Sequence, residues 1–228
     1  MTTKATPPIK AKYKVLIVDD HAVVREGLSR IIPQEKDLVV CGQAADATEA
    51  LKLLGSEKPD LAIVDISLEG MNGIDLTKTI RTRFPNVRIL TLSMHKEALY
   101  AERALRAGSN GYIVKRESGR NLLNAIRQVL EGHTFVSEEF NEMILQKLSN
   151  PNRQLGSFST DMLSDRELEV FQLIGQGYGT RQIAKELNIS LKTVEAHREH
   201  MRAKLSLNAN FELVQQAIYW VHREKNVD

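Results

Sequence analysis

The chain has 228 residues, 42% of them hydrophobic and 26% charged, the balance of a soluble globular protein with room for one large domain or two ordinary ones. Lysine and arginine total 31 against 29 acids, so net charge argues neither for nor against a nucleic-acid partner. A single cysteine, Cys41, excludes an internal disulfide; no apolar run approaches the ~18 residues of a membrane span, and Met1 to Lys12 has no apolar core of a secretory signal, so a cytoplasmic location is expected.

From Tyr13 to about Gly132, short apolar runs alternate with segments of helical period. The runs are Val15 to Val18, Leu38 to Val40, Leu61 to Val64, Val87 to Leu92 and Gly111 to Val114. Helical stretches fall at Val24 to Ile32, Thr48 to Leu54, Gly73 to Phe84, Ala98 to Ala107 and Asn121 to Leu130. Continuous apolar strands alternating with helices predict a parallel sheet covered on both faces, an open, doubly wound α/β domain over 13–132. Leu38, Val39 and Val40 beside Cys41 predict a buried thiol.

A different regime follows over 133–160. Ser137, followed by Glu138 and Glu139, reads as the N-cap of a helix running to about Leu148. Ser149 to Thr160 is rich in polar and turn-forming residues and reads as a linker. The remainder, 161–228, contains no strand candidate. Ser164-Asp165-Arg166-Glu167 has the form of a capping box opening a helix to about Gly175. Further helices are expected at Thr180 to Leu187, Leu191 to Leu205 and Asn210 to His222.

Polar residues at the strand ends carry the chemistry. Asp19 and Asp20 follow the first run, Asp65 the third, Ser93 the fourth and Lys115 the fifth. In an open parallel sheet these ends converge on one crevice, where ligands bind. Clustered carboxylates repel, and a hard divalent cation such as Mg²⁺ relieves them. Such a site can run phosphoryl transfer, with Asp65, on the central run, as nucleophile. Taken singly, Asp19 or Asp20 also fits a helix cap, and Lys115 a solvated loop lysine. Five coincident positions argue for a site.

Val18-Asp19-Asp20-His21, Val64-Asp65, Leu92-Ser93 and Gly111-Tyr112-Ile113-Val114-Lys115 resemble the motif set of response-regulator receiver domains. The resemblance implies a (βα)5 flavodoxin-like fold in which Asp65 accepts a phosphoryl group from a sensor histidine kinase. It also implies that Asp19, Asp20, Asp65 and the backbone carbonyl of Ser67 hold Mg²⁺. Ser93 and Lys115 would engage the phosphoryl oxygens, and Tyr112 would be the aromatic switch. Two departures stand out. Leu68-Glu69 replaces the usual Met-Pro, and Arg116 replaces the common proline after Lys115, so a cis peptide is not expected there.

In the C-terminal part, Asn188-Ile189-Ser190 is the short connection that a helix-turn-helix needs. Ile183, Ala184 and Leu187 predict the inner face of its first helix; Val194, Met201 and Leu205 predict that of its second. Lys192, Glu195, Ala196, Glu199 and Arg202 fall on the opposite face. Arg181 to Lys204 holds six basic residues against three acidic ones, which fits phosphate contact and equally fits a salt-bridged, solvated face. Val214, Ala217, Ile218 and Val221 form a candidate partner-helix surface.

Leu163-Ser164-Asp165-Arg166-Glu167-Leu168-Glu169-Val170, Gln182 to Ser190 and Lys192-Thr193-Val194-Glu195-Ala196-His197-Arg198 resemble the LuxR-type helix-turn-helix, and the whole chain is similar to NarL/FixJ response regulators. This implies a phosphorylation-switched transcription regulator, not an enzyme. Lys192, Glu195, Ala196 and Glu199 would face bases in promoter DNA, Thr193 and Arg198 would touch its backbone, and the last helix would form a homodimer. Two rivals remain. A Mg²⁺-dependent phosphohydrolase of the haloacid-dehalogenase type would need a second aspartate where Ser67 stands. A phospho-independent regulator or protein-binding adaptor would need a vestigial pocket. The six histidines display no metal-ligand pattern, and the lone Trp220 reads as packing.

Overall fold

The structure is a computed structural model that describes residues 12–94, 97–117, 119–138, 140–142, 145 and 160–225. Two compact units divide the chain, Met1–Met143 and Ile144–Asp228.

Each apolar run of the first unit becomes a strand: β1 Tyr13–Val18, β2 Leu38–Ala44, β3 Leu61–Asp65, β4 Arg88–Ser93 and β5 Gly111–Val114. All pairings are parallel and the order is β2-β1-β3-β4-β5, the doubly wound flavodoxin-like arrangement. Successive side chains point to opposite faces, so each strand feeds two cores. Val15, Ile17, Ile63, Leu90 and Leu92 pack on one side with Leu28, Leu122, Ala125, Ile126 and Val129. Leu16, Val18, Ala62, Val64 and Ile89 pack on the other with Ala50, Leu54, Leu76 and Ile80. Full burial of each Leu, Ile or Val contributes roughly 1.5–3 kcal/mol, and this fixes the strand register.

The covering helices are α1 Ala22–Ile31, α2 Ala47–Glu57, α3 Gly73–Arg83, α4 Glu97–Arg106 and α5 Gly119–Glu131. Short polar residues start α2 and α3. The Asp46 side chain accepts from the Glu49 N–H, and the Asn72 side chain accepts from the Ile74 N–H. Ser137 accepts from the Phe140 N–H, as a cap would; the rest of the expected helix to Leu148, and Ser149 to Ser159, lie mostly or wholly outside the described residues.

Cys41 departs from the expected burial. It is half-buried, because β2 is an edge strand and the β1–β2 register skips this residue between Val40 and Gly42. The opposite edge is covered: the Tyr112 N–H donates to the Phe135 carbonyl, and the Phe135 N–H donates to that of Asn110.

The second unit is helical, with α6 Asp165–Gly175, α7 Thr180–Glu186, α8 Leu191–Lys204 and α9 Asn210–Lys225. The capping box at Ser164 and Glu167 is formed. Ile183, Ala184, Leu187, Val194 and Met201 are buried, and Leu205 is half-buried. On α9 the inward stripe is Leu213, Ala217 and Val221. The expected partner surface is therefore divided: Ala217 and Val221 are core, while Ile218 is exposed beside Phe211 and Tyr219. Trp220 packs on Phe171, with ring centroids 5.8 Å apart. No helix among the described residues is long and apolar enough to cross a membrane.

Candidate functional site

The strand ends meet as the topology requires. The Asp19 N–H donates to the Ala44 carbonyl, the Ile66 N–H to that of Leu92 and the Lys115 N–H to that of Ser93, so backbone bonds tie the loops together. From α1, Arg25 Nη1 donates to the Asp19 carbonyl at 2.6 Å and holds the loop that carries both N-terminal aspartates.

Lys115 Nζ lies 2.7 Å from Asp65 Oδ2 and 2.8 Å from Asp19 Oδ2. All three side chains are nearly solvent-free, at 5%, 1% and 1% exposure. Asp65 Oδ1 is buried and has no hydrogen-bond partner. Ligand atoms of Asp19, Asp20, His21 and Asp65 lie within 4.8 Å of one another. Burial pushes the Asp65 carboxyl up to about 6, with Lys115 opposing and Asp19 reinforcing the shift. Burial disfavours the charged Lys115 ammonium, yet Asp65 and Asp19 outweigh it and hold that pKa above its ordinary value. The two shifts pull apart: the pocket disfavours the charge on Asp65 and favours the charge on Lys115, although the two groups form one ion pair. Burial accounts for the first shift, and the carboxylates around the ammonium account for the second. Three carboxylates share one lysine, so negative charge is in excess.

Ser93 and Tyr112 are both buried, Tyr112 at 1% exposure. Ser67 is half-buried on the loop after β3. Sequence reasoning missed His21. Its Nδ1 stands 2.6 Å from Asp20 Oδ1, and its N–H donates to Asp19 Oδ1 at 2.9 Å. Adjacency to the acidic pair was the available signal.

In the second unit, Ser190 caps α8 by accepting from the Thr193 N–H at 3.0 Å, and Arg166 Nη2 donates to the Leu187 carbonyl, bracing the connection between α7 and α8. Lys192, Thr193, Glu195, Ala196 and Glu199 are exposed on α8; Arg198 and Arg202 are half-buried, each with a shielded Nε lacking a hydrogen-bond partner. Glu195 Oε1 accepts from the Thr180 hydroxyl at 2.8 Å, which ties α8 to the start of α7. The histidine reading needs a second correction. His197 and His200, one turn apart on α8, converge with Glu167 so that their ligand atoms lie within 4.8 Å.

A sheet of this order with an acidic strand-end pocket, followed by a helix-turn-helix unit, defines a class. Residues 15–127 match the family of the response regulator receiver domain, and residues 161–217 match the bacterial regulatory proteins of the luxR family. The chain belongs to the two-component response regulators with a LuxR-type DNA-binding domain. It is 40% identical over 209 residues to the oxygen regulatory protein NreC of Staphylococcus aureus, covering 90% of this chain and 96% of that one. It resembles RcsB of Salmonella enterica serovar Typhimurium bound to promoter rprA with the phosphomimetic BeF3⁻ (26% identity, 90% and 98% of the two chains, TM-score 0.59). Two RcsB dimers bound to two parallel DNAs are similar as well (27% identity, 90% and 97%, TM-score 0.56).

Proposed function

We propose that Asp65 is the phosphoacceptor of a sensor histidine kinase and that its phosphorylation switches promoter binding by residues 161–228, with 13–132 as receiver and 133–160 as connection. The observation that carries this reading is the buried Asp65 carboxylate, with one oxygen on Lys115 and the other unpartnered. Its proposed partners, a kinase and promoter DNA, put the protein in the cytoplasm.

The three carboxylates fit Mg²⁺: they offer oxygen donors, carry excess negative charge and include the orphaned Asp65 Oδ1. Asp19, Asp20, Asp65 and the Ser67 carbonyl would hold the ion, which when bound neutralises charge on the phosphoryl oxygens. An Asp65 oxygen attacks phosphorus as the donor's P–N bond breaks, and the leaving imidazole keeps the bonding pair. Lys115 exchanges its contact with Asp65 for a phosphoryl oxygen, and the Ser93 hydroxyl donates to another. Both contacts exist only in the phosphorylated form, so they weight one conformation, with Tyr112 as the packing element that follows Ser93.

On DNA, Lys192, Glu195, Ala196 and Glu199 would face bases, and Thr193 and Arg198 the backbone. A homodimer would read paired half-sites, with the exposed Phe211, Ile218 and Tyr219 of α9 offering an apolar contact face. RcsB, which binds promoter DNA with a phosphomimetic and as dimers, supports both parts of the reading. The test is a gel shift on bound genomic fragments with and without acetyl phosphate, beside intact-mass detection of the phosphoryl group. Wild type gains both mass and affinity, and Asp65→Asn neither. Equal DNA binding in all four samples would favour a phospho-independent regulator.

A further inference from the structure

We propose that the DNA-binding unit carries a transition-metal site, formed by Glu167, His197 and His200 and suited to Zn²⁺, separate from the acidic pocket of the first unit. The two histidines are an i,i+3 pair, so they rise from the same side of α8 as neighbours. Glu167 reaches them from the first turn of α6, and one ligand atom from each of the three lies within 4.8 Å of the others. Two imidazoles and one carboxylate, with water in the fourth position, are a donor set that Zn²⁺ takes readily and Mg²⁺ does not.

The local bonding leaves this set usable. Glu167 Oε2 is engaged, accepting from the Ser164 N–H at 2.7 Å and from Lys204 Nζ at 2.6 Å. Its second oxygen, Oε1, has no hydrogen-bond partner among the described residues. The capping box thus fixes the carboxylate and still presents one oxygen. His197 is half-buried, with its ligand atom held near Glu167. His200 is exposed, which gives the ion an entry path. Two cations oppose the site. Arg166 is committed to Glu169 at 2.7 Å and to the Leu187 carbonyl; Lys204, 38% exposed, can turn to solvent when a metal takes over the charge of Glu167.

The site's place gives it a consequence. His197 and His200 follow Thr193 and Ala196 by one helical turn each, so a bound ion lies beside the proposed DNA-facing surface and links α6 to α8. It would add positive charge where phosphates approach.

Equilibrium dialysis of the full, tag-free chain against Zn²⁺ in excess Mg²⁺ tests the proposal, with Mg²⁺ occupying the acidic pocket. One Zn²⁺ per chain is expected for wild type, for His222→Ala and for Asp20→Ala. His200→Ala, an exposed change that the fold tolerates, should weaken binding by about tenfold or more. Absence of Zn²⁺ from wild type, undiminished binding in His200→Ala, or loss of binding in Asp20→Ala would each overturn it.

Discussion

The α-carbon of Gly73 faces the backbone carbonyl of Asp65 so closely that a Cβ at residue 73 would stand 1.8 Å from that oxygen. The Gly73 N–H also donates to the Ile66 carbonyl at 2.7 Å, so the first turn of α3 is clamped to the end of β3. The clamp sets the path of the loop between Ile66 and Asn72, which includes Ser67. Gly73→Ala must push helix and strand apart. The expected cost is about 1–3 kcal/mol, as for overpacked cores, together with slower acetyl-phosphate labelling of Asp65. Urea unfolding and intact-mass time courses measure the two; unchanged values would mean that the loop relaxes freely.

Lys115→Ala leaves Asp19 and Asp65 buried without their cation. Removing one partner from a buried pair typically costs 3–5 kcal/mol, and here the survivors repel each other as well. In chelator the variant should unfold at lower denaturant by an amount on the order of 3 kcal/mol. Mg²⁺ should restore more stability to Lys115→Ala than to wild type, because its charge takes the place of the ammonium. Denaturant midpoints with EDTA and with Mg²⁺ give this comparison directly.

The raised pKa of Asp65 makes a signed prediction about pH. The folded carboxyl titrates near 6 and the unfolded one near the ordinary aspartate value, so between the two the folded state binds the extra proton. Stability from this group is complete below the unfolded pKa and is lost as pH rises through about 6. Without metal, Asp65→Asn should therefore be more stable than wild type at pH 7.5, and the advantage should shrink as pH falls through about 6 toward the ordinary aspartate value. Paired thermal melts in EDTA across that range measure the difference; a gap independent of pH would contradict the assigned shift.

Much of this architecture is legible in the sequence, for a physical reason. Strands buried on both faces must be continuously apolar, and a parallel sheet must bring their polar successors together, so Asp19, Asp65 and Lys115 announce a shared crevice before any coordinates. Less legible is whatever depends on which neighbour lies alongside. Cys41 looks buried from its own strand, but β2 is an edge and the register skips that residue. On α9 the expected stripe splits: Ala217 and Val221 pack where Gly175 has no side chain, since a Cβ there would fall 2.3 Å from the Ala217 carbonyl, while Ile218 stays exposed. Glu167 and His197 are 30 positions apart on different helices, so no local spacing pairs them.

The ion pair between Glu167 and Lys204 can be tested by Lys204→Met, which keeps the aliphatic stem and removes the charge. Glu167 is buried, and the cap N–H of Ser164 and the Lys204 ammonium at 2.6 Å are its charge-stabilising contacts. Burial alone would raise its pKa, but Lys204 and the Ser164 bonds outweigh that and hold the carboxyl below the ordinary glutamate range. A depressed carboxylate contributes stability that is present above the unfolded pKa and is lost as pH falls through the folded one. Lys204→Met should therefore cost about 1–2 kcal/mol at neutral pH, a value discounted because the lysine is partly solvated and screened. The cost should shrink once acid protonates Glu167 in both proteins. Helix packing makes the same variant informative about the fold: Lys204 closes α8 against the first turn of α6, so loss of the pair loosens α8 at its C-terminal end while Ser190 still caps the other. Amide hydrogen exchange should accordingly rise around Ala203 and stay unchanged around Thr193; equal exchange at both ends would mean that the ion pair does not anchor α8.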